Sequence, residues 1–174
     1  YYIYSTWSEF LPDWHPYENY RKSYASNKNL GGGSTLTLSH EVDLLIWFFG
    51  KIKKISTFKN LRSKLNINAE FATNHQIEFD GNKTAHVHLD YMQKPYNRCL
   101  EIYGDKKKLI FNYYKNKITI VNRDGKEKII KLKKFNRNNL FMDEIKYFTK
   151  NIGKNLENTF GIDDNIYLLK NLIK

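Results

Sequence analysis

Between residues 69 and 92 the chain alternates apolar and polar side chains twice, on either side of an Asp80-Gly81-Asn82 turn. In the first run, Phe71, Thr73, His75, Ile77 and Phe79 fall on one side. In the second, Ala85, Val87, Leu89 and Tyr91 oppose Thr84, His86, His88 and Asp90. A period of two puts successive side chains on opposite faces of a strand, and a short turn between two such runs folds them into an antiparallel hairpin. The apolar face of that hairpin needs a covering layer.

The rest of the chain extends the pattern. Residues 1–10 and 51–61 read as strands rich in Tyr, Ile, Thr and aromatic side chains. Strands over 98–103, 108–114, 117–122 and 127–134 are separated by turns at Gly104-Asp105, Lys115-Asn116 and Asp124-Gly125. This spacing predicts an antiparallel meander. Three helices are expected. One runs from an N-cap at Ser34 to Gly50, with Leu36, Leu44, Leu45, Trp47 and Phe48 suggesting burial on more than one side. Two more close the chain over 139–152, capped by Asn138 or Asn139, and over 162–173, with Asp163 in the first turn. The expected fold class is α+β: a largely antiparallel sheet with the helices packed on one face, forming one domain over residues 1–174.

Composition narrows the class of function. The single Cys99 rules out an internal disulfide and supplies no metal cluster, so no metal site is expected. No apolar run is long enough to span a bilayer and no secretory signal is evident, which fits a cytoplasmic setting. The net charge of +11 raises the question of nucleic acid. The excess is mostly scattered Lys, however, and Arg, the side chain suited to bidentate phosphate and base contacts, is scarce. Lys106-Lys107-Lys108 and Lys131, Lys133 and Lys134 read as solvated turns and strand edges. A basic nucleic-acid-binding domain is the least favoured class. The chain opens in the middle of a strand-like run, Tyr1-Tyr-Ile-Tyr-Ser-Thr-Trp7, and reads as a piece of a longer polypeptide.

Two segments carry chemistry. In Gly31-Gly-Gly-Ser-Thr-Leu-Thr-Leu-Ser-His-Glu-Val-Asp43, a glycine run precedes the helix that bears His40, Asp43 and Trp47. Their i, i+3, i+7 spacing puts them on one helix face. A histidine there can exchange a proton near neutral pH, and Asp43 can orient it or bind a substrate hydroxyl. A core histidine satisfied by hydrogen bonds is the alternative. Gly31, Gly32 and Gly33 either cradle a phosphate at the helix start or let the loop backbone pack tightly beneath a bound substrate.

The second segment is the long loop after the first strand, Leu11-Pro-Asp-Trp-His-Pro-Tyr-Glu-Asn-Tyr-Arg21, with one helical turn expected near 21–26. Loops of this length inside a compact domain are usually functional. Trp14, Tyr17 and Tyr20 can stack on the apolar face of a sugar ring. Asp13 and His15 can reach hydroxyls, and Arg21 can pair with a carboxylate or phosphate. Packing of the aromatics onto the sheet is the alternative. Lys94, Tyr96 and Arg98 can add anion contacts.

Together these motifs resemble the C-terminal domain of the glucose-fructose oxidoreductase / inositol dehydrogenase (Gfo/Idh/MocA) family. The likeness rests on Leu-Pro-Asp-Trp-His-Pro, the following Tyr20-Arg21, Leu30-Gly-Gly-Gly33, Ser39-His-Glu-Val-Asp43 and Trp47. It extends to Leu89-Asp-Tyr-Met-Gln-Lys-Pro-Tyr-Asn-Arg98, Glu101-Ile-Tyr-Gly104 and the closing helices. The resemblance implies a domain that binds substrate and often mediates oligomers, joined to an N-terminal Rossmann domain that binds NAD or NADP. The dinucleotide fingerprint and the catalytic Glu-Lys-Pro lysine of that family are absent from these residues. The family histidine falls on His40, which the resemblance makes the catalytic acid/base, and its following Asp falls on Asp43. Where many members carry an Asp four residues before that His, this chain has Leu36. The implied function is oxidoreduction of a sugar or nucleotide sugar by the intact protein, with this fragment inactive alone. A homo-oligomer through the open sheet face is also implied. A catalytically silent ligand-binding or oligomerisation module is the runner-up.

Overall fold

The computed structural model describes residues 1–133, 136–154 and 161–173. Its centre is an eight-stranded sheet. The strands are β1 (Tyr2–Phe10), β2 (Ile52–Asn60), β3 (Ala72–Phe79), β4 (Lys83–Asp90), β5 (Met92–Tyr103), β6 (Lys107–Asn112), β7 (Lys117–Asn122) and β8 (Glu127–Lys131). The expected hairpin is β3–β4, with Ile77 opposite Ala85 and His75 opposite Val87. The strand order is β2-β3-β4-β1-β5-β6-β7-β8, so β1 is inserted into the meander, parallel to β4 and antiparallel to β5.

That insertion has a simple cause. Only Tyr91 separates β4 from β5, and one residue cannot turn two strands into hydrogen-bonded neighbours. The chain reverses across the end of β1 instead, and Leu11 N–H donates to the Tyr91 carbonyl at 3.0 Å. The strand expected over 98–103 therefore begins earlier, at Met92, and the last strand stops at Lys131. Lys134 lies outside the described residues.

The helices are α1 (Ser34–Thr37), α2 (His40–Phe49), α3 (Arg137–Asn151) and α4 (Ile162–Leu172). The single helix expected over 34–49 is thus interrupted at Leu38-Ser39. Ser34 is not its N-cap; Gly33 holds that position, and the Ser34 hydroxyl points into the core at 2.8 Å from Thr73 Oγ1. Val42 and Leu45 are sealed in the core, each worth about 2 kcal/mol of burial, while Trp47 and Phe48 are exposed. Burial of α2 is therefore one-sided.

α1, α2 and α4 lie on one side of the sheet, over Ile3, Ser5, Thr73, His75, Ile77, Ala85, Val87 and Leu89. α4 is fixed by Leu168 and Leu172 and by the Tyr167 hydroxyl, which accepts from Ile52 N–H at 2.7 Å. α3 departs from the expectation. Asn136 caps it, and its Phe141, Ile145 and Phe148 are exposed. An amphipathic pattern shows that a helix has an apolar face, not what covers it.

One core group makes folding depend on pH. His75 is fully buried, with Nδ1 2.9 Å from Thr57 Oγ1. Burial, helped by the charges of Lys59 and His86, pulls its pKa down to about 4. Between the ordinary histidine value and pH 4 the unfolded chain binds this proton and the folded chain does not, so stability falls as pH falls through that window. The loss should reach about 3 kcal/mol at pH 4. Urea unfolding of the wild type and of His75→Gln at pH 7 and pH 4 checks this. An equally steep loss in the variant would assign the acid sensitivity to other groups.

Candidate active-site groove

The face shared by His40, Asp43 and Trp47 is real, and it opens onto an accessible groove. With Leu44 and Arg98 these side chains line a depression of about 400 Å³. His40 and Asp43 are exposed to it, so the histidine is not sealed in the core. A smaller depression of about 160 Å³ continues from Leu44 and Arg98 toward Glu41, Leu100, Phe111 and Tyr113.

The floor is an arginine held by one carboxylate and two aromatic rings. Arg98 projects from β5 opposite Trp7 of β1. Its guanidinium carbon lies 4.0 Å from the Trp7 ring centroid and 4.9 Å from that of Tyr113, a cation–π contact with each ring. Its Nε donates to Glu41 Oε1 at 2.6 Å, and Ser5 Oγ donates to the other Glu41 oxygen at 2.8 Å. Trp7 also meets His40 edge-on, with ring centroids 5.4 Å apart. Strand β1, helix α2 and strand β5 thus converge on one pair of opposite charges beneath the candidate acid/base.

The rim continues along the ends of β1 and β5. Trp7 Nε1 and the Tyr114 hydroxyl both donate to Glu9 Oε1, at 2.9 and 2.6 Å. Partial burial and that hydrogen bond raise the Tyr114 pKa, so it stays a neutral donor. Tyr96 packs on Tyr114 and donates to Asp13 Oδ2 at 2.9 Å. Lys94 forms an ion pair with Asp13. The Lys94 hydrogen bond, then that of Tyr96, holds the Asp13 carboxyl below its usual range. A chain of contacts therefore joins Asp13 to His40.

The rest of the aromatic loop is turned elsewhere. It folds as four short 3₁₀ turns over 11–13, 20–22, 24–26 and 28–30 instead of one. Trp14 packs edge-on against the buried Tyr91. His15 and Tyr17 are exposed and hydrogen-bonded to each other at 3.0 Å. Tyr20 hydroxyl and Arg21 Nε both donate to the Leu65 carbonyl, at 3.0 and 3.3 Å. Of the loop side chains singled out above, Asp13 reaches the rim that leads to the groove.

The glycine turn has a packing role. Gly31, Gly32 and Gly33 N–H groups donate to the carbonyls of Lys28, Asn27 and Ala25. At the start of α1, Ser34 N–H donates to the Glu70 carbonyl at 3.0 Å and Thr35 N–H to Glu70 Oε1 at 3.3 Å. A buried carboxylate therefore occupies the place where a nucleotide phosphate would sit, and the amides are already used. This turn does not fit a dinucleotide.

Trp7, Glu9, Glu41, Tyr113 and Tyr114 escaped the reading of the sequence. Trp7 was detectable in principle, since alternation from Ile3 and Ser5 puts it on the helix-side face of β1. Glu41 was not: a carboxylate inside a helix reads as solvated until its partner on a distant strand is known.

A model of the GFO/IDH/MocA C-terminal domain matches residues 2–110. Among solved structures, levoglucosan dehydrogenase in complex with NADH superposes with a TM-score of 0.78 at 12% identity, over 99% of this chain and 55% of that one. UDP-N-acetylglucosamine 3-dehydrogenase GnnA from Acidithiobacillus ferrooxidans gives 0.73 at 11% identity, over 99% and 51%. An NAD binding oxidoreductase from Klebsiella pneumoniae gives 0.74 at 10%, over 98% and 54%. At these identities the likeness is one of fold, and the chain spans about half the length of each structure. No curated protein matches.

Proposed function

This chain belongs to the GFO/IDH/MocA family, as its C-terminal domain, and on that premise we propose that it forms the substrate-binding, acid/base-bearing half of an NAD(P)-dependent oxidoreductase acting on a sugar or nucleotide sugar. The observation that carries the reading is the groove, where an exposed histidine and carboxylate stand over an aromatic-clamped arginine. Two of the structural neighbours are dehydrogenases of a sugar or nucleotide sugar.

The side chains divide the work. Trp47 offers an exposed ring for the C–H face of a sugar. Asp43 accepts a hydrogen bond from one hydroxyl, and Arg98 donates to a second oxygen. His40 takes the proton of the hydroxyl being oxidised, or returns it in the reverse direction. A nicotinamide, held mainly by an N-terminal Rossmann domain, would supply the hydride acceptor; the glycine turn of this chain does not fit one. The isolated chain then oxidises nothing. The intact protein should reduce NAD or NADP with at least one of a panel of sugars and nucleotide sugars, read by nicotinamide absorbance. Sugars that bind without any reduction would favour the silent module. That second reading has one observation behind it: Leu36 packs against the core, in the place of an Asp common in the family.

The other face of the sheet lies away from α1, α2 and α4. It presents exposed Tyr2, Tyr4, Phe58 and Tyr103, and Tyr4 stacks on His86 at 5.2 Å. This face is where copies of the chain associate. Light scattering should give a dimer or tetramer, and a strict monomer at high concentration would refute it. The protein acts in the cytoplasm, and no described helix is long and apolar enough to cross a membrane.

A further inference from the structure

The charge state of the groove floor points to what the substrate can carry. Glu41 is 2% exposed, and both its oxygens are engaged, one by Arg98 Nε at 2.6 Å and one by Ser5 Oγ at 2.8 Å. The Arg98 guanidinium also makes cation–π contacts with Trp7 and Tyr113. Arg98 lines the groove beside His40 and Asp43 while its Nε is held by Glu41. An arginine fork of this kind receives either a carboxylate or the paired hydroxyls of a polyol. Here its charge is already balanced by a buried anion. A substrate carboxylate would place a second anion on the same cation, with Asp43 in the same groove.

We propose that Glu41 is a positioning and specificity-determining residue, which aims Arg98 into the groove and spends its charge, so that the site takes uncharged sugars and rejects sugar acids. This rests on the groove being the sugar site. Rejection here is electrostatic and not steric: the fork would fit a carboxylate, and the buried anion behind it makes that pairing unfavourable.

Glu41→Gln separates the two parts of the claim, because an amide oxygen can still accept from Arg98 Nε while the charge is gone. The intact protein is titrated with glucose and with glucuronate, followed by tryptophan fluorescence and by the NMR signal of Arg98 Nε–H. Wild type should bind glucose in preference to glucuronate. In the Gln variant glucuronate affinity should rise on the order of tenfold while glucose affinity changes little. Glu41→Leu should loosen Arg98, seen as faster exchange of its Nε proton, and weaken both sugars. A wild type that prefers glucuronate, or a Gln variant with unchanged selectivity, overturns the proposal and leaves the sugar site standing. Binding of neither sugar to either protein also overturns this proposal, while the sugar site itself is judged by the nicotinamide assay with the wider panel.

Discussion

In the intact protein, His40→Ala should lower turnover by roughly 100-fold or more, the scale expected when a positioned acid/base is lost. The affinity for NAD or NADP should barely change. His40 is exposed on the groove and its ring contact is with Trp7, so removing it leaves no cavity in the core. The melting temperature should therefore stay close to that of the wild type. A pH profile adds a test that a packing role would not pass: the acidic limb of kcat/KM should disappear in the variant. Full turnover in a folded His40→Ala protein would remove the histidine from the mechanism. Loss of activity accompanied by unfolding would return it to a structural role.

A large effect on stability is also expected at the glycine turn. Gly33 has φ +107°, and a Cβ there would stand 2.4 Å from the Glu70 carboxylate. Gly33→Ala combines a strained backbone with a clash against the group that caps α1. The amides of Ser34 and Thr35 lose their acceptor if Glu70 moves. The cost should be on the order of 3 kcal/mol, a large share of the stability of a typical domain. Gly31 is the internal comparison. Its φ is +78°, but nothing lies within 4 Å of the added carbon, so Gly31→Ala should cost only about 1 kcal/mol. Urea midpoints of the two variants measure the difference. Equal midpoints would mean that Glu70 yields freely and that the close approach carries no energy.

These two residues show how differently the site and its scaffold were legible. His40, Asp43 and Trp47 could be placed on one face from their spacing alone, because helical periodicity is a local property. The glycine run was equally visible, but its purpose was not. Nothing near it in sequence announces Glu70, which reaches it from the segment before β3. Arg98 and Lys94 stood out as cations near a predicted strand. That one contacts Trp7 and Tyr113 and the other pairs with Asp13 depends on the register of β5 against β1 and β6.

The periodic hairpin at 69–92, the α+β class and the helix face bearing His40 were determined by the sequence itself, because each follows from side-chain spacing within one segment. The insertion of β1 between β4 and β5, the break at Leu38-Ser39, the burial of Glu41 beneath Arg98 and the turning of Tyr20 and Arg21 toward Leu65 were decided only by tertiary structure. Each is a contact between segments remote in the chain, and its energy depends on desolvation and geometry that local pattern does not encode.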